Sequence, residues 1–188
     1  NDANLAAFWR IFTKWGGRPG SHLLLGSYAT GDYTSLDPTG WVIIPPGGVV
    51  PAQESGSWHA TYILEQKLWV DPCNPNRNIA LYSPWSVADP DTSPFEWACN
   101  VALQGQGLCC CRENDTIGVG YFYTGLSNQF KNLLQPVAPL DDVHGFEMYY
   151  NAEVTPWFHL TADMQIVEPA LRANDTAVVF GLRGKINL

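Results

Sequence analysis

Apolar and polar residues alternate along almost the whole chain, and helical periodicity is nearly absent. The last segment is the clearest: Val178, Phe180, Leu182, Gly184, Ile186 and Leu188 fall on one side, and Gly181, Arg183, Lys185 and Asn187 on the other. Upstream, Phe158, Leu160, Ala162, Met164 and Ile166 oppose His159, Thr161, Asp163 and Gln165, and Phe146, Met148, Tyr150, Ala152 and Val154 oppose Glu147, Tyr149, Asn151 and Glu153. The same period of two runs through Ile117–Tyr123, Phe95–Leu103, Ile79–Val87 and Trp58–Leu68, and less regularly through two opening segments. The pattern predicts nine strands, over about 3–14, 21–33, 57–70, 77–88, 94–107, 115–126, 146–154, 158–166 and 178–188.

These strands are long. Strands of globular proteins average about 5–6 residues, whereas a tilted strand crossing a bilayer needs about 9–11. The connections also alternate in length. Those at 15–20, 70–77, 107–115 and Thr155-Pro156 are short, those at 34–56 and 127–144 long, and those at 89–93 and 168–176 intermediate. Outer-membrane barrels have this asymmetry, with short periplasmic turns and longer extracellular loops. Trp58, Trp69, Trp97, Tyr123, Tyr150 and Trp157 lie near strand ends, where such barrels carry aromatic girdles.

Composition supports the same class. Aromatic residues make up 13% of the 188 and charged residues only 15%, against about 25% charged in an ordinary soluble domain. No run approaches the roughly 18 apolar residues of a membrane helix, which excludes a helical membrane protein. A net charge of −8 argues against nucleic acid as a partner. The expected fold is therefore all-β, an antiparallel transmembrane β-barrel. Nine is an odd count where single-chain bacterial barrels are even, and the chain begins Asn1-Asp2. Residues 1–188 are thus expected to be a single barrel domain forming the C-terminal portion of a longer chain. The competing class is a soluble or surface-attached carbohydrate-binding β-sandwich, in which the apolar side would be a dry core rather than a lipid contact.

The segments "GSWHATYILEQKLWVDP" (56–72), "GVGYFYTGLSNQFKNLL" (118–134), "YYNAEVTPWFHLTADMQIV" (149–167) and "NDTAVVFGLRGKINL" (174–188) resemble the C-terminal half of the carbohydrate-selective porins of the OprB type. "RPGSHLLLGSYATGDYTSLDP" (18–38) is similar more loosely. The resemblance implies a sixteen-stranded barrel in the bacterial outer membrane that passes sugars by diffusion, with no enzyme activity and no cofactor. Its partners would be small sugars of the glucose type and outer-membrane lipid, with a homotrimer as a candidate assembly. Two departures stand out: Leu188 occupies the end where such barrels usually carry phenylalanine, and three cysteines fill a turn that usually holds glycine and arginine.

The polar side is the candidate functional surface. Pairing across Thr155-Pro156 sets Glu153 opposite His159, Asn151 opposite Thr161, Tyr149 opposite Asp163 and Glu147 opposite Gln165. Pairing across 168–176 adds Thr161 with Arg183 and His159 with Lys185. Glu147, Tyr149, Asn151, Glu153, His159, Thr161, Asp163, Gln165, Arg183 and Lys185 thus form one wall of the groups that bind sugars: amides and charges for hydroxyls, an aromatic face for C–H patches. The blander alternative is that they only solvate a water-filled lumen and pair with one another. His59, Glu65, Lys67, Glu96, Asn100 and Gln104 extend this face. Asp163 and Glu153 resemble a glycosidase pair, but a cation is expected beside each, so mutual ion pairing is the better reading and no catalytic residue is assigned. The helix-like stretch 127–139 either folds inward or caps the rim, and the apolar "WVIIPPGGVV" (41–50) is expected to pack on its neighbours or another subunit. In "GLCCCREND" (107–115), strand pairing places Cys73 opposite about Cys109, so a Cys73–Cys109 (or Cys111) disulfide is a candidate staple in an oxidising compartment. Three adjacent thiols converge poorly on a zinc tetrahedron, and no metal site is assigned.

Overall fold

The computed structural model describes residues 2–109 and 111–187. Cys110 in the triple cysteine, Leu188 at the end of the apolar alternation and Asn1 lie outside the described residues. The chain forms β1 (Asn4–Trp15), β2 (Arg18–Thr34), β3 (Val42–Ile44), β4 (Gly48–Val50), β5 (Gln53–Val70), β6 (Asn78–Ala88), β7 (Phe95–Gln106), β8 (Thr116–Leu126), a short helix α1 (Asn128–Leu134), β9 (Val143–Thr155), β10 (Phe158–Glu168) and β11 (Ala177–Ile186). A 3-10 turn lies at Pro38–Gly40.

Nine of these strands form one sheet in the order β1-β2-β5-β6-β7-β8-β9-β10-β11, every neighbour antiparallel. Each strand pairs with the next long strand in sequence, the meander that short antiparallel connections favour. Within this chain the sheet does not close, and β1 and β11 are its edges. The nine strands are those the alternation predicts. Their lengths, 10 to 18 residues, suit a tilted bilayer crossing.

The register keeps apolar residues on one face throughout. Met148 pairs Met164 and Phe146 pairs Ile166; Ala162 pairs Leu182 and Met164 pairs Phe180; Leu103 pairs Val119. This face is uncovered: Phe180 is 76% exposed and Leu182 74%, while Leu126 is the one buried hydrophobic among the described residues. A β-sandwich would bury such a face against a second sheet, and no second layer covers it. Bulges adjust the pattern locally. At Lys67/Trp69 the ladder slips so that Trp69 pairs Ile79, and buried Gln66 donates to the carbonyls of Arg18, Pro19 and Lys67 there.

The long connection 34–56 was expected to pack on its neighbours or on another subunit, and within the chain it meets its neighbours at its base. Its base is tied down, with Ser35 N donating to Ala52 O at 2.8 Å and Leu36 N to Asp91 O at 2.7 Å. Its tip, however, is the β3–β4 hairpin, in which Val42, Ile43, Ile44, Val49 and Val50 are all exposed rather than packed on neighbouring elements.

The exposed apolar face gives a direct check on the face assignment. Leu182→Lys should impair membrane insertion of the intact protein, since a cation on the lipid side near mid-bilayer costs about 2–4 kcal/mol. Loss of the heat-modifiable band on gels is the expected result; wild-type folding of this variant would show that the faces are assigned the wrong way round.

Candidate functional site

Successive hydrogen-bonded rows carry the polar side chains across the last five strands of the sheet, β7 to β11. One row runs Gln104, Gly118, Tyr149, Asp163, Gly181, and the next Gln106, Thr116, Asn151, Thr161, Arg183. Glu147 and Gln165 lie one step toward the long loops, and Glu153, His159 and Lys185 one step toward the short turns. Thr116, Glu147, Tyr149, Asn151, Thr161, Asp163 and Arg183 line one depression of about 300 Å³. Glu153, His159, Gln165 and Lys185 share the face but lie outside that depression. Thr116 is the lining residue that the alternation alone did not single out; its position opposite Asn151 is the signal that would have found it.

Two glycines shape this surface. At Gly118 a side chain would collide with the ring of Tyr149, which reclines over it, and at Gly181 with the carboxylate of Asp163. Lying across β8, Tyr149 donates its hydroxyl to Gln104 Oε1 at 2.6 Å. Asn151 Nδ2 donates to Thr161 Oγ1, also at 2.6 Å. The expected mutual pairing of the charges is not formed: the ion pairs among the described residues join other groups. Asp163 lies over Gly181 instead of reaching a cation, and Glu147, Asp163 and Arg183 are held in no ion pair among the described residues.

A second depression of about 470 Å³ occupies the same face on β1 to β7, with Arg10, Phe12, Ser21, Glu65, Lys67, Tyr82 and Gln104 among its lining residues. Ser21 Oγ donates to Glu65 Oε2 at 3.0 Å. Gln104 joins the two depressions, lining this one and holding the hydroxyl of Tyr149 from the other. Arg10, Phe12 and Tyr82 were not read from the sequence. On β1 both sides carry large apolar residues, with Phe8 and Phe12 on one and Trp9 and Ile11 on the other, so alternation assigns no face there. Among the described residues no group of three His, Cys, Asp or Glu side chains could hold a metal ion.

The model of the carbohydrate-selective porin family, OprB, matches residues 3–188. The chain belongs to that family. The match includes β1 and β2, where the wording of the sequence was least distinctive. In fold, the chain is similar to the high-pH structure of Pseudomonas putida OprB, with a TM-score of 0.84 at 21% identity over 98% of this chain and 48% of that one. It is also similar to the low-pH structure of the same protein, with a TM-score of 0.65 at 18% identity over 98% of this chain and 46% of that one. The chain thus spans about half the length of the porins it matches. None of the curated proteins matches it in sequence.

In this OprB-family wall, each rim is organised by one aspartate. At the long-loop rim, Asp142 accepts from Lys131 Nζ at 2.6 Å, Tyr123 Oη at 2.7 Å and Leu126 N at 2.9 Å. Together with Gln129 Nε2 donating to Asp91 Oδ1 at 2.8 Å, this fastens α1 to neighbouring loops, where it touches the Pro38–Gly40 turn. Helix α1 is thus held against the neighbouring long connections. Burial pushes the Asp142 carboxyl up, but Lys131, Tyr123 and the Leu126 N–H outweigh it and hold it below the usual carboxylate range.

At the short-turn rim, Asp115 is buried and accepts from Arg112 Nε at 2.7 Å, Glu153 N at 2.9 Å and the Tyr150 hydroxyl. These donors outweigh its burial as well and depress its pKa. Asp115 thereby closes the cysteine turn, in which Cys111 adopts a left-handed φ of 61°. The candidate Cys73–Cys109 bridge is not formed in the structure; Cys73, Cys109 and Cys111 are exposed free thiols. The two turns are joined instead by Arg77, which donates through Nε to Gly107 O at 3.0 Å and pairs with Asp71 at 3.2 Å.

The Asp142 clamp has a definite pH dependence. Its folded pKa is depressed, so its stabilisation is complete above the ordinary value of 3.8 and is lost as pH falls through the folded pKa below that. Asp142→Asn should therefore speed backbone hydrogen exchange over 127–142 at neutral pH, and the unsubstituted protein should show the same loosening only in strong acid. Identical exchange in the variant and the parent would dismiss the clamp.

Proposed function

We propose that this chain forms the C-terminal wall of an outer-membrane porin through which small sugars of the glucose type diffuse passively, with the polar face turned to the lumen and the apolar face to lipid. The observation that carries the reading is the division of one sheet into two unlike faces. One has two linked depressions lined by amides, charges and aromatic rings; the other is apolar and lies uncovered.

Diffusion needs binding weak enough for release. The wall meets that need with separate hydrogen-bonding groups instead of an enclosed pocket. Glu147, Tyr149, Asn151, Thr161, Asp163 and Arg183 are the proposed solute contacts, with Glu153, His159, Gln165 and Lys185 solvating the path on either side. The carbohydrate-binding sandwich is disfavoured by the absence of a covering layer on the apolar face of the described residues.

The intact protein should require detergent to stay monodisperse, conduct ions in planar bilayers, and show conductance that glucose blocks reversibly. Monodisperse behaviour without detergent would sink the proposal. Removing the lumen cation with Arg183→Ala should shift the reversal potential under a salt gradient toward cation preference, because the wall left behind is acidic. An unchanged reversal potential would place Arg183 away from the conducting path.

A further inference from the structure

We infer that Tyr149 is a fixed platform on which one face of a pyranose ring stacks, and that it makes the channel favour cyclic sugars over open-chain polyols. This rests on the sugar-diffusion reading above and goes further by naming the recognition element and the ligand shape it selects.

A tyrosine on a strand ordinarily stands roughly perpendicular to the sheet. Tyr149 does not. Its ring crosses the neighbouring strand β8 at Gly118, the one kind of residue that leaves room for it, and its hydroxyl reaches Gln104 on β7. Gly120, the next residue of β8 on the same face, is also bare, and Ala102 opposite it on β7 is small. The ring thus occupies the space left bare at Gly118, is tethered at its tip, and borders the 300 Å³ depression. Two restraints on a side chain with two rotatable bonds remove most of the ordering cost that stacking would otherwise incur.

The rest of the depression suits the edge of a sugar. Thr116, Asn151 and Thr161 are neutral hydrogen-bonding groups, and Asp163 and Arg183 are held in no ion pair among the described residues. A pyranose with equatorial hydroxyls presents a flat C–H face to the ring and its hydroxyls to these groups. An open-chain hexitol has equivalent hydroxyls and no flat face. Neutral cyclic sugars are the matching class, since Glu147 and Asp163 disfavour sugar acids.

The test is titration of ion-current block in planar bilayers containing the intact protein, with glucose and with mannitol. The unsubstituted channel should bind glucose more tightly than mannitol. Tyr149→Ala should weaken glucose block by about three- to tenfold, the range that aromatic contacts usually supply, and leave mannitol block unchanged. Gly118→Val, which keeps the tyrosine but evicts it from its seat, should reproduce the loss; this variant also serves where Tyr149→Ala fails to give a heat-modifiable barrel. Equal glucose and mannitol block in the parent, or glucose block unaltered in either folded variant, would overturn the platform while leaving the sugar-porin reading intact. A parent channel that conducts ions but is blocked by no sugar would overturn both.

Discussion

Everything on either face depends on the parity of the backbone ladder. In a sheet the side chains alternate strictly, so a slip of one residue would exchange apolar and polar residues along a whole strand. Eight successive pairings keep Phe146, Met164 and Phe180 on one side and Tyr149, Asp163 and Arg183 on the other. Where parity changes, it does so at a bulge, and the bulge has a use. At Lys67/Trp69 the slipped ladder brings Trp69 beside Ile79, setting an indole at the end of the apolar band. Among the described residues there is no packed interior, since Leu126 alone is a buried hydrophobic, so main-chain hydrogen bonds take much of the role that a core has in a soluble protein.

The strands from β5 to β11 were legible because each places apolar residues on one side only, and their cross-strand partners followed from the short connections: Glu153–His159, Asn151–Thr161 and Thr161–Arg183 are the observed register. What sequence could not give was direction within a face. Asp163 was expected beside a cation, yet its carboxylate lies over Gly181, a vacancy that belongs to a different strand eighteen residues on. The seat of Tyr149 is likewise made by Gly118, thirty-one residues upstream. Such arrangements depend on the absence of a side chain across the ladder, which no local pattern records. The two opening strands were harder for the opposite reason, since β1 is apolar on both sides. The β3–β4 hairpin was hidden inside a loop too short in each arm to show alternation.

The two depressions differ in character, and the difference follows from their strands. The one on β8 to β11 is mostly polar, with a single aromatic ring. The one on β1 to β7 mixes Phe12 and Tyr82 with Arg10, Glu65 and Lys67. Gln104 lines the second and accepts from the Tyr149 hydroxyl of the first. The face therefore presents neighbouring surfaces of unequal polarity rather than one enclosed well.

The bond between Arg77 and the carbonyl of Gly107 has a consequence for how the wall is built. It ties two turns at the place where a sulfur bridge would have been the obvious fastener, and it uses a guanidinium, which stays charged across the whole working range of a protein. The join at that rim is made without sulfur, and Cys73, Cys109 and Cys111 stand exposed beside it, within reach of a thiol reagent while the turns stay joined.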